Sequence, residues 1–315
     1  MDKRRKIILD CDPGQDDMVA IILAGKSEAV ELLAITVVAG NHTLENTTRN
    51  ALNITQHLGL SVPVYAGCSG PLVRDKITAG EIHGETGLDG PVFAPLTKKK
   101  EAKHAVNYLI DTLMASDGDI TMVVTGPMTN LAMALRMEPE IAGKIKEIIF
   151  MGGSYTMGNV TPAAEFNMFA DPEAAHICLT SGIPMVMVGL DVTLKALVNQ
   201  AYIEKAKTVD NPATSLFVPC MEFYMERESS VYGITGAPVH DPVTIAYLID
   251  PSVLTLKEMN VVVDISGGTS YGRTNCDVFN KLDAEGAVRN VKVAIDIDSK
   301  RFWDIVWDEM NQYSA

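Results

Sequence analysis

Four aspartates are crowded into one short stretch near the N-terminus of this chain. The stretch reads KIILDCDPGQDD and carries acidic side chains at Asp10, Asp12, Asp16 and Asp17. Like charges at this spacing repel one another unless a cation or a proton lies among them. A strand that ends in Asp-x-Asp, followed by a Pro-Gly turn and two acids at a helix start, directs several carboxylates into one small volume. Because hard divalent cations prefer oxygen ligands, the stretch predicts a calcium or magnesium site.

Helix capping is the simpler explanation for part of this cluster. An aspartate at a helix start accepts hydrogen bonds from free amide groups whether or not a metal is bound. Capping accounts for Asp16 or Asp17 and leaves the other acids unexplained. The spacing also argues against a helix-loop-helix calcium loop. That loop needs Gly at its sixth position and Glu at its twelfth, whereas counting from Asp10 places Gly14 fifth and Ile21 twelfth.

Two further aspartates each precede a proline. In PVHDPVTIAYLI, His240 and Asp241 stand before an apolar helical run, and EFNMFADPEAA carries Asp171 followed by Pro172. Taken alone, such a pair is a helix cap with proline at the first helical position. One of the two aspartates could therefore be structural and the other catalytic.

Composition and charge limit the classes of protein and partner. The chain has 315 residues, 47% of them hydrophobic and 21% charged, which fits one large α/β domain or two small ones. Its net charge of −14 argues against nucleic acid and anionic membranes as partners. Small molecules and other proteins remain as partners.

Cysteine usage and hydropathy indicate the cellular compartment of the protein. The chain has five scattered cysteines, Cys11, Cys68, Cys178, Cys220 and Cys276. Their odd number suits free thiols in a reducing compartment. The absence of a Cys-x-x-Cys pair argues against a zinc site. The apolar run 7–9 is far shorter than the core of a signal peptide. No later segment approaches the ~18 apolar residues of a membrane span. These features predict a cytoplasmic protein.

Apolar runs rich in β-formers alternate with stretches of helical spacing in the first two thirds of the chain. Strands are predicted at 6–10, 30–38, 62–67, 119–126, 145–153 and 184–191, and helices at 17–26, 45–59, 101–115, 128–137 and 171–181, several after an N-cap at Asp16, Thr43 or Asp171. This series predicts an α/β fold with a doubly wound, mostly parallel sheet and helices on both faces. Ligands bind at the carboxyl ends of such strands, where the aspartate cluster, TGPMTN and MGGSYTMGN all fall.

The pattern changes after residue 191. Helices are predicted at 199–230, 240–249 and 298–313, strands at NVVVDI and VKVAIDI, and a hairpin or loop excursion in the glycine-rich segment 264–290. Neither a low-complexity linker nor a repeat interrupts the chain. We therefore expect a single domain covering residues 1–315.

Taken together, the motifs of the chain resemble the inosine-uridine-preferring nucleoside hydrolase family. The resemblance is carried by D-x-D-P-G-x-D-D, TGPMTN, MGG…GN…AEFN…ADPEAA, GLDVT and VHDP, in this order. It runs from residue 6 to about residue 250 and continues more weakly to the C-terminus. Gln15, at a position that varies in the family, and Met18 depart from the expected pattern. The resemblance implies hydrolysis of ribonucleosides to free base and ribose, and a homo-oligomer, either a tetramer or a dimer.

The resemblance also implies a role for each acidic residue. It implies a calcium ion held by Asp12, Asp17, Asp241 and the backbone carbonyl of Thr125, with water and the ribose 2′- and 3′-hydroxyls completing the shell. Asp12 would also be the general base for the metal-bound water that attacks the anomeric carbon. Asp10 would be a second carboxylate that supports the site.

The remaining site residues would hold the two halves of the substrate. Ribose contacts are implied for Asp16, Asn41, Asn159, Glu165 and Asn167. His240 would lie at the leaving base. His83, in the loop IHGETGLDGP, and Tyr232 are candidates for contacting the base or protonating it, and Phe166 for packing near ribose or base. Without the resemblance, His83 would be an incidental loop histidine, Tyr232 a packing residue at a helix end, and Phe166 a core residue.

The chemistry of the residues agrees with this assignment. Cleavage of an N-glycosidic bond passes through an oxocarbenium-like state, so carboxylates around a ribose favour the positive charge that develops there. Calcium lowers the pKa of water less than zinc does, so a carboxylate base beside the ion is reasonable. The segments EIHGETGLDGP and YGITGAPVHD resemble the pyrimidine-preferring branch, which predicts faster cleavage of uridine and cytidine than of inosine or adenosine.

Several other functions remain open alternatives. A hydrolase of broad or purine preference would share the same motifs. A nucleoside phosphorylase needs an anion site, and the sequence has no G-x-x-x-x-G-K-[ST] loop or arginine cluster at a strand end. A haloacid-dehalogenase-type magnesium phosphatase also begins with Asp-x-Asp, but the Pro-Gly-x-Asp-Asp continuation does not fit it. A non-catalytic calcium or ribose-binding protein would lack the base and the ribose contacts, and those positions are filled here.

Overall fold

A computed structural model describes residues 4–313 of the chain. Its strands are β1 (Arg5–Cys11), β2 (Val30–Val37), β3 (Val64–Ala66), β4 (Ile120–Val124), β5 (Ile145–Met151), β6 (Met185–Val188), β7 (Leu197–Val198), β8 (Ala237–Pro238), β9 (Leu254–Met259), β10 (Val261–Val263), β11 (Thr274–Cys276) and β12 (Val291–Ile297). Its α-helices are α1 (Gln15–Lys26), α2 (Leu44–His57), α3 (Gly80–His83), α4 (Ala105–Met114), α5 (Thr129–Met137), α6 (Phe166–Ala170), α7 (Pro172–Leu179), α8 (Leu190–Thr193), α9 (Gln200–Lys207), α10 (Pro212–Tyr232), α11 (Pro242–Ile249) and α12 (Ser299–Met310).

The main sheet is mostly parallel, as predicted. Within residues 4–313 it has eight strands in the order β3-β2-β1-β4-β5-β6-β12-β9. Only β9 runs antiparallel to its neighbour, β12. Apolar residues fill both faces of the sheet in two clusters, one between the sheet and α1, α11 and α12, the other between the sheet and α4, α5 and α7. The doubly wound α/β fold predicted from the sequence is therefore confirmed.

The strand order places β1 at the point where the chain reverses its direction across the sheet. β1 pairs with β2 on one side and with β4 on the other, both in parallel register. Connections on the two sides diverge at such a position and leave a crevice outside the carboxyl ends of the strands. The aspartates that follow β1 therefore lie at the mouth of this crevice.

Several predicted elements differ from the observed ones. The helix predicted at 199–230 is two helices, α9 and α10, because Pro212 offers no N–H and restricts the residue before it. Asn211 caps the second helix by accepting the N–H of Thr214 at 2.9 Å. Strand β9 was not predicted, since its central residues are partly exposed and include Lys257 and Glu258. The glycine-rich segment does contain a hairpin arm, in which β10 pairs with β11.

The predicted helix caps are confirmed at two positions and wrong at the third. Thr43 accepts the N–H of Asn46 at the start of α2, and Asp171 accepts the N–H of Ala174 at the start of α7. Asp16 is not a cap, because α1 already begins at Gln15 with Gly14 in the N-cap position. Its carboxylate is therefore free to face the crevice. Among the described residues, none of the helices combines the length and the apolar character needed to cross a membrane.

Candidate active site

Three buried carboxylates meet at the carboxyl end of β1. Oxygen atoms of Asp16, Asp17 and Asp241 lie within 4.8 Å of one another. The first two come from the first turn of α1, and Asp241 comes from the start of α11, which packs against α1. Burial raises the pKa of all three, that of Asp16 to about 7, and repulsion from neighbouring carboxylates adds to the rise in the pKa of Asp16 and Asp241. Because buried like charges are costly, this arrangement is the kind that a divalent cation stabilises.

The two Asp-Pro pairs have different roles. Asp171 caps α7, and it also accepts the hydroxyl of Thr129 at 2.6 Å. Asp241 occupies the N-cap position of α11, but its side chain makes no capping hydrogen bond and lies instead in the carboxylate cluster. The capping explanation for Asp241 is therefore wrong for its side chain, whereas Asp171 is a helix cap.

Asp12 lies beside this cluster with one oxygen unpartnered. Its Oδ2 accepts the backbone N–H of Asn41 at 2.6 Å, whereas its buried Oδ1 has no hydrogen-bond partner among the described residues. A Cβ at Gly40 would lie 2.0 Å from Oδ2 and one at Gly126 would lie 2.6 Å from Oδ1, so both neighbours have to be glycine. An orphaned buried carboxylate oxygen next to three clustered carboxylates fits an oxygen-ligated cation.

Asn41 and Thr125 connect the cluster to its surroundings. The Asn41 amide donates to the Asp12 carbonyl at 3.2 Å and to the Asp17 carboxylate at 3.3 Å. The Thr125 hydroxyl donates to the other Asp17 oxygen at 2.8 Å, and the Thr125 carbonyl accepts the Asn167 amide at 2.8 Å. These bonds fix the orientation of Asp17 before any ligand binds.

Asp10 lies deeper in the sheet. Its Oδ1 accepts the Thr36 hydroxyl at 2.6 Å and the Asn130 amide at 2.8 Å, and its Oδ2 is buried without a partner among residues 4–313. Burial raises its pKa to about 7. Asp10 does not line the cavity described next, so it can influence the site only through the residues around it.

A cavity of about 330 Å³ opens above the carboxylate cluster. The structure brings most of the predicted site residues to its wall: Asp16, Asn41, His83, Thr125, Asn159, Glu165, Phe166, Asn167, Tyr232, His240 and Asp241. Asp12 and Asp17 lie behind this wall, in contact with Asn41 and Thr125. A concave site of this size with converging polar groups is typical of small-molecule binding.

One side of the cavity is built by the loop before α6. Glu165 caps this short helix by accepting the N–H groups of Asn167 at 2.9 Å and Met168 at 3.1 Å, and it also accepts the N–H of Gly153 at 2.9 Å. Burial raises its pKa to about 7. Asn159 accepts the N–H of Phe166 at 2.9 Å. The predicted polyol-binding residues are thus held in place by the loop itself.

Two histidines and a tyrosine also line the cavity. Burial lowers the pKa of His240 to about 4 and that of His83 to about 3, so both imidazoles are neutral at pH 7. His240 Nδ1 lies 2.7 Å from the Thr193 hydroxyl. Tyr232 is the last residue of α10, and its side chain lines the cavity although the residue is 47% exposed.

The family model for inosine-uridine preferring nucleoside hydrolases matches residues 7–304 of the chain. The chain belongs to this family. The nucleoside hydrolase is 52% identical over 311 residues to the pyrimidine-specific ribonucleoside hydrolase RihB of Escherichia coli K12, an alignment that covers 99% of this chain and 98% of that protein. It is therefore an enzyme that hydrolyses the N-glycosidic bond of ribonucleosides.

Solved structures of other nucleoside hydrolases have the same fold. A purine-preferring ribonucleoside hydrolase from Gardnerella vaginalis is 36% identical, with a TM-score of 0.90 and 97% of this chain and 98% of that chain covered. The plant nucleoside hydrolase PpNRh1 is 32% identical, with a TM-score of 0.91 and coverage of 98% and 99%. The resemblance predicted from the motifs is thus confirmed.

The cavity-lining residues that the sequence analysis did not single out include a buried tyrosine and a buried glutamate. Tyr224 and Glu228 lie one turn apart on α10 and line the cavity, both almost fully buried. Burial raises the pKa of Glu228 to about 7, and Tyr224 hydrogen-bonds to it. Their spacing places them on one helix face. The sequence analysis did not single them out because an apolar helix face with a tyrosine is typical of ordinary core packing.

Proposed function

We propose that this nucleoside hydrolase cleaves uridine and cytidine in preference to inosine and adenosine, with calcium as its metal ion. The observation that carries the proposal is a single cavity whose lining includes Asp16 and Asp241 of the buried carboxylate cluster together with His83, Tyr232 and His240. The carboxylates suit a cation and a ribose, and the imidazole and phenol groups suit a base. A ribonucleoside bound in this cavity would direct its ribose to the carboxylates and its base to the imidazole and phenol groups.

The ligands that we propose for calcium are Asp12, Asp17, Asp241 and the carbonyl of Thr125. The orphaned Oδ1 of Asp12 and the close carboxylates support this set, and Asp16 stands close enough to contribute an oxygen of its own. When bound, calcium would act as a Lewis acid that lowers the pKa of water and favours the vicinal hydroxyls of ribose over 2′-deoxyribose. Asp10 would support this arrangement from beneath the site.

Asp12 is the proposed general base. Its Oδ2 is held by Asn41, which leaves the unpartnered Oδ1 to accept a proton from the water that attacks the anomeric carbon. A general base has to lie within hydrogen-bonding reach of that water, and the crevice outside β1 offers the space. The attack breaks the bond between the anomeric carbon and the base nitrogen, and the electron pair leaves with the base.

The ribose contacts are proposed for Asp16, Asn41, Asn159, Glu165 and Asn167. These residues line the same cavity and come from β1–α1, from the loop after β2 and from the loop before α6. Their carboxylates favour the positive charge that develops at the ribose as the bond breaks. Phe166 lies next to them and offers an apolar surface to the ribose or the base.

His83, Tyr232 and His240 are proposed to surround the leaving base. Pyrimidines are poor leaving groups as anions, so hydrogen bonding or proton transfer to the base lowers the barrier. The pyrimidine-specific RihB, at 52% identity, supports this substrate class over the purine preference of the Gardnerella vaginalis enzyme at 36% identity.

The substrate proposal is tested by comparing kcat/KM for uridine, cytidine, inosine and adenosine. We expect the two pyrimidine nucleosides to be cleaved faster. His83→Ala and Tyr232→Phe should each reduce hydrolysis of uridine more than that of inosine, since these residues face the base. A wild type that prefers inosine, or variants that lose both activities equally, would contradict the proposed base contacts.

Three properties of the whole chain complete the proposal. We propose a single domain over residues 1–315, of which 1–3 and 314–315 lie outside the described residues. The five cysteines are unpaired thiols, which suits the proposed cytoplasmic location. We further propose a homo-oligomer, a tetramer or a dimer, which size-exclusion chromatography with light scattering would distinguish from a monomer.

A further inference from the structure

Gln15 has an unusual environment for a polar residue at the start of a helix. It is the first residue of α1, yet its side chain is completely buried. Its amide Nε2 donates to the backbone carbonyls of His83 at 3.2 Å and Asp89 at 3.1 Å. Its Oε1 lies 2.6 Å from Nδ1 of His83. The proposed reaction uses none of these contacts.

These contacts determine which imidazole nitrogen carries the hydrogen. Backbone carbonyls only accept hydrogen bonds, so the NH₂ group of Gln15 has to face them and its oxygen has to face His83. An amide oxygen cannot donate, so the short contact requires a hydrogen on Nδ1 of His83. A rotated amide would instead place its oxygen against two carbonyl oxygens. Since burial lowers the pKa of His83 to about 3, the imidazole is neutral and its Nε2 is unprotonated.

Other neighbours hold the imidazole in this orientation. A Cβ at position 14 would lie 2.5 Å from Nδ1, so the ring packs directly against the backbone of Gly14. One ring face lies 5.9 Å from the ring of Tyr224, at an interplanar angle of 19°. His83 lines the cavity, and among the described residues no hydrogen bond is made to its Nε2. Nε2 is therefore the ring nitrogen left for a ligand.

We propose that Gln15 is a positioning residue that holds His83 in the tautomer with hydrogen on Nδ1, so that His83 offers Nε2 to the substrate as a hydrogen-bond acceptor. The inference rests on the proposed function for the identity of the occupant, a ribonucleoside. The group that Nε2 recognises is an N–H or O–H donor, either on the base or at the ribose 5′ position. In this tautomer His83 selects the substrate, and the proton for the leaving base comes from another group.

The loop that carries His83 has a second amide anchor, which provides a matched control. The Asn50 side chain donates to the carbonyls of Pro13 and Thr86, each at 3.1 Å. Both amides therefore tie the loop 83–89 to the region of α1. Of these two amides, Gln15 is the one that hydrogen-bonds to the imidazole. We expect substitution of Asn50 to loosen the loop and to leave the hydrogen bond between Gln15 and His83 in place.

The first test is the tautomer itself, read by long-range ¹H–¹⁵N NMR of protein labelled on histidine and loaded with calcium but free of substrate. His83→Ala assigns the His83 signals among the six histidines. We expect a protonated Nδ1 and an unprotonated Nε2 in the wild type and in Asn50→Leu. Gln15→Met, which keeps the side-chain length but removes the amide, should lose this strict preference.

The second test is kinetic. Gln15→Met should lower kcat/KM for uridine roughly tenfold in the wild-type background, and less than about twofold in the His83→Ala background, because the effect passes through His83. The donor is located with 3-methyluridine, which lacks the base N–H, and 5′-deoxyuridine, which lacks the ribose hydroxyl. For the analogue that lacks the recognised donor, His83→Ala should cause no further decrease in kcat/KM.

Three results would overturn the inference. These are a hydrogen on Nε2 in the wild type, an unchanged tautomer in Gln15→Met, or equal kinetic losses in the two backgrounds. The wild-type NMR result stands even if the variant does not fold. It also does not depend on which nucleoside is cleaved, so a wild type inactive on uridine would contradict the proposed function and leave the tautomer assignment intact.

Discussion

The two oxygens of the buried Asp12 carboxylate have different surroundings. Oδ2 is held by a backbone N–H, and the buried Oδ1 has no hydrogen-bond partner among residues 4–313. An unpartnered buried carboxylate oxygen costs stability unless a cation, a proton or a water molecule meets it. The proposed role of Oδ1 as a cation ligand and proton acceptor would account for this cost.

Asp12→Asn tests this role. We expect the fold to be retained and turnover to fall by several orders of magnitude, because the change removes a proton acceptor and weakens a cation ligand. Asn167→Ala, which alters a ribose contact, should raise KM for uridine as well as lower kcat. Circular dichroism establishes the fold, and steady-state kinetics give the rates. Near-normal turnover by Asp12→Asn would show that the water is activated elsewhere.

The two Asp-Pro pairs allow a matched comparison of structural and functional carboxylates. Asp171→Asn should lower thermal stability, because it weakens the cap of α7, and leave kcat for uridine close to that of the wild type. Asp241→Asn should abolish activity and weaken calcium binding while leaving the stability of the calcium-free protein unchanged or higher, because it removes a charge from a repulsive cluster. The opposite pattern would reverse the two assignments.

At the scale of elements, α10 contributes a buried carboxyl group that titrates near neutral pH. Glu228 has a pKa of about 7 in the folded protein, against an ordinary value of 4.5. Between these two pH values the folded state binds more protons than the unfolded state, so this group lowers stability as pH rises. Above pH 7 the full destabilising effect is present.

Glu228→Gln should therefore stabilise the protein more at about pH 8 than at about pH 5, since the neutral amide removes the pH-dependent penalty. Glu226→Gln is the control, because it makes the same charge change at an exposed position on the same helix. Thermal denaturation of both variants across this pH range gives the answer. An equal gain for Glu228→Gln at both pH values would show that Glu228 ionises normally.

The sequence predicts the central elements better than the peripheral ones. Strands β1, β2 and β4 to β6 are continuous apolar runs because both of their faces are buried, and such runs are recognisable without a partner strand. β9 is an edge strand whose exposed face carries charge, so its sequence does not distinguish it from a loop. The break before Pro212 carries a local signal, the Asn-Pro helix start, that could have divided the predicted helix.

The candidate site was predictable only in part from the residues themselves. Charge crowding alone indicates a cation near Asp12 and Asp17. It does not reveal that Asp241, more than 200 positions away, completes the cluster. That connection came from the family resemblance, and packing of α11 against α1 explains it. Tyr224, Glu228 and the contacts of Gln15 were missed because contacts across the fold leave no periodic pattern in the sequence.

At the scale of the whole molecule, the carboxylate cluster links folding to metal binding. A ligand that binds only the folded state stabilises it by an amount that grows with ligand concentration, about 2.7 kcal/mol at a hundred times Kd. We expect calcium to co-purify with the protein, and its removal by a chelator to lower Tm by several degrees and abolish activity. Restoring calcium should reverse both effects. Removal of calcium should lower the Tm of Asp241→Asn by a smaller amount than it lowers that of the wild type. Full activity of a metal-free preparation would contradict the calcium site.

The most direct test of the proposed function is a product assay with a panel of ribonucleosides in phosphate-free buffer, with calcium either added or chelated. With calcium, we predict that uridine and cytidine yield free base and ribose at higher kcat/KM than inosine and adenosine, and that 2′-deoxyuridine is cleaved poorly. Absence of phosphate excludes phosphorolysis as the source of the base. Release of base that requires phosphate, or no release from uridine and cytidine in the presence of calcium, would contradict calcium-dependent pyrimidine ribonucleoside hydrolysis.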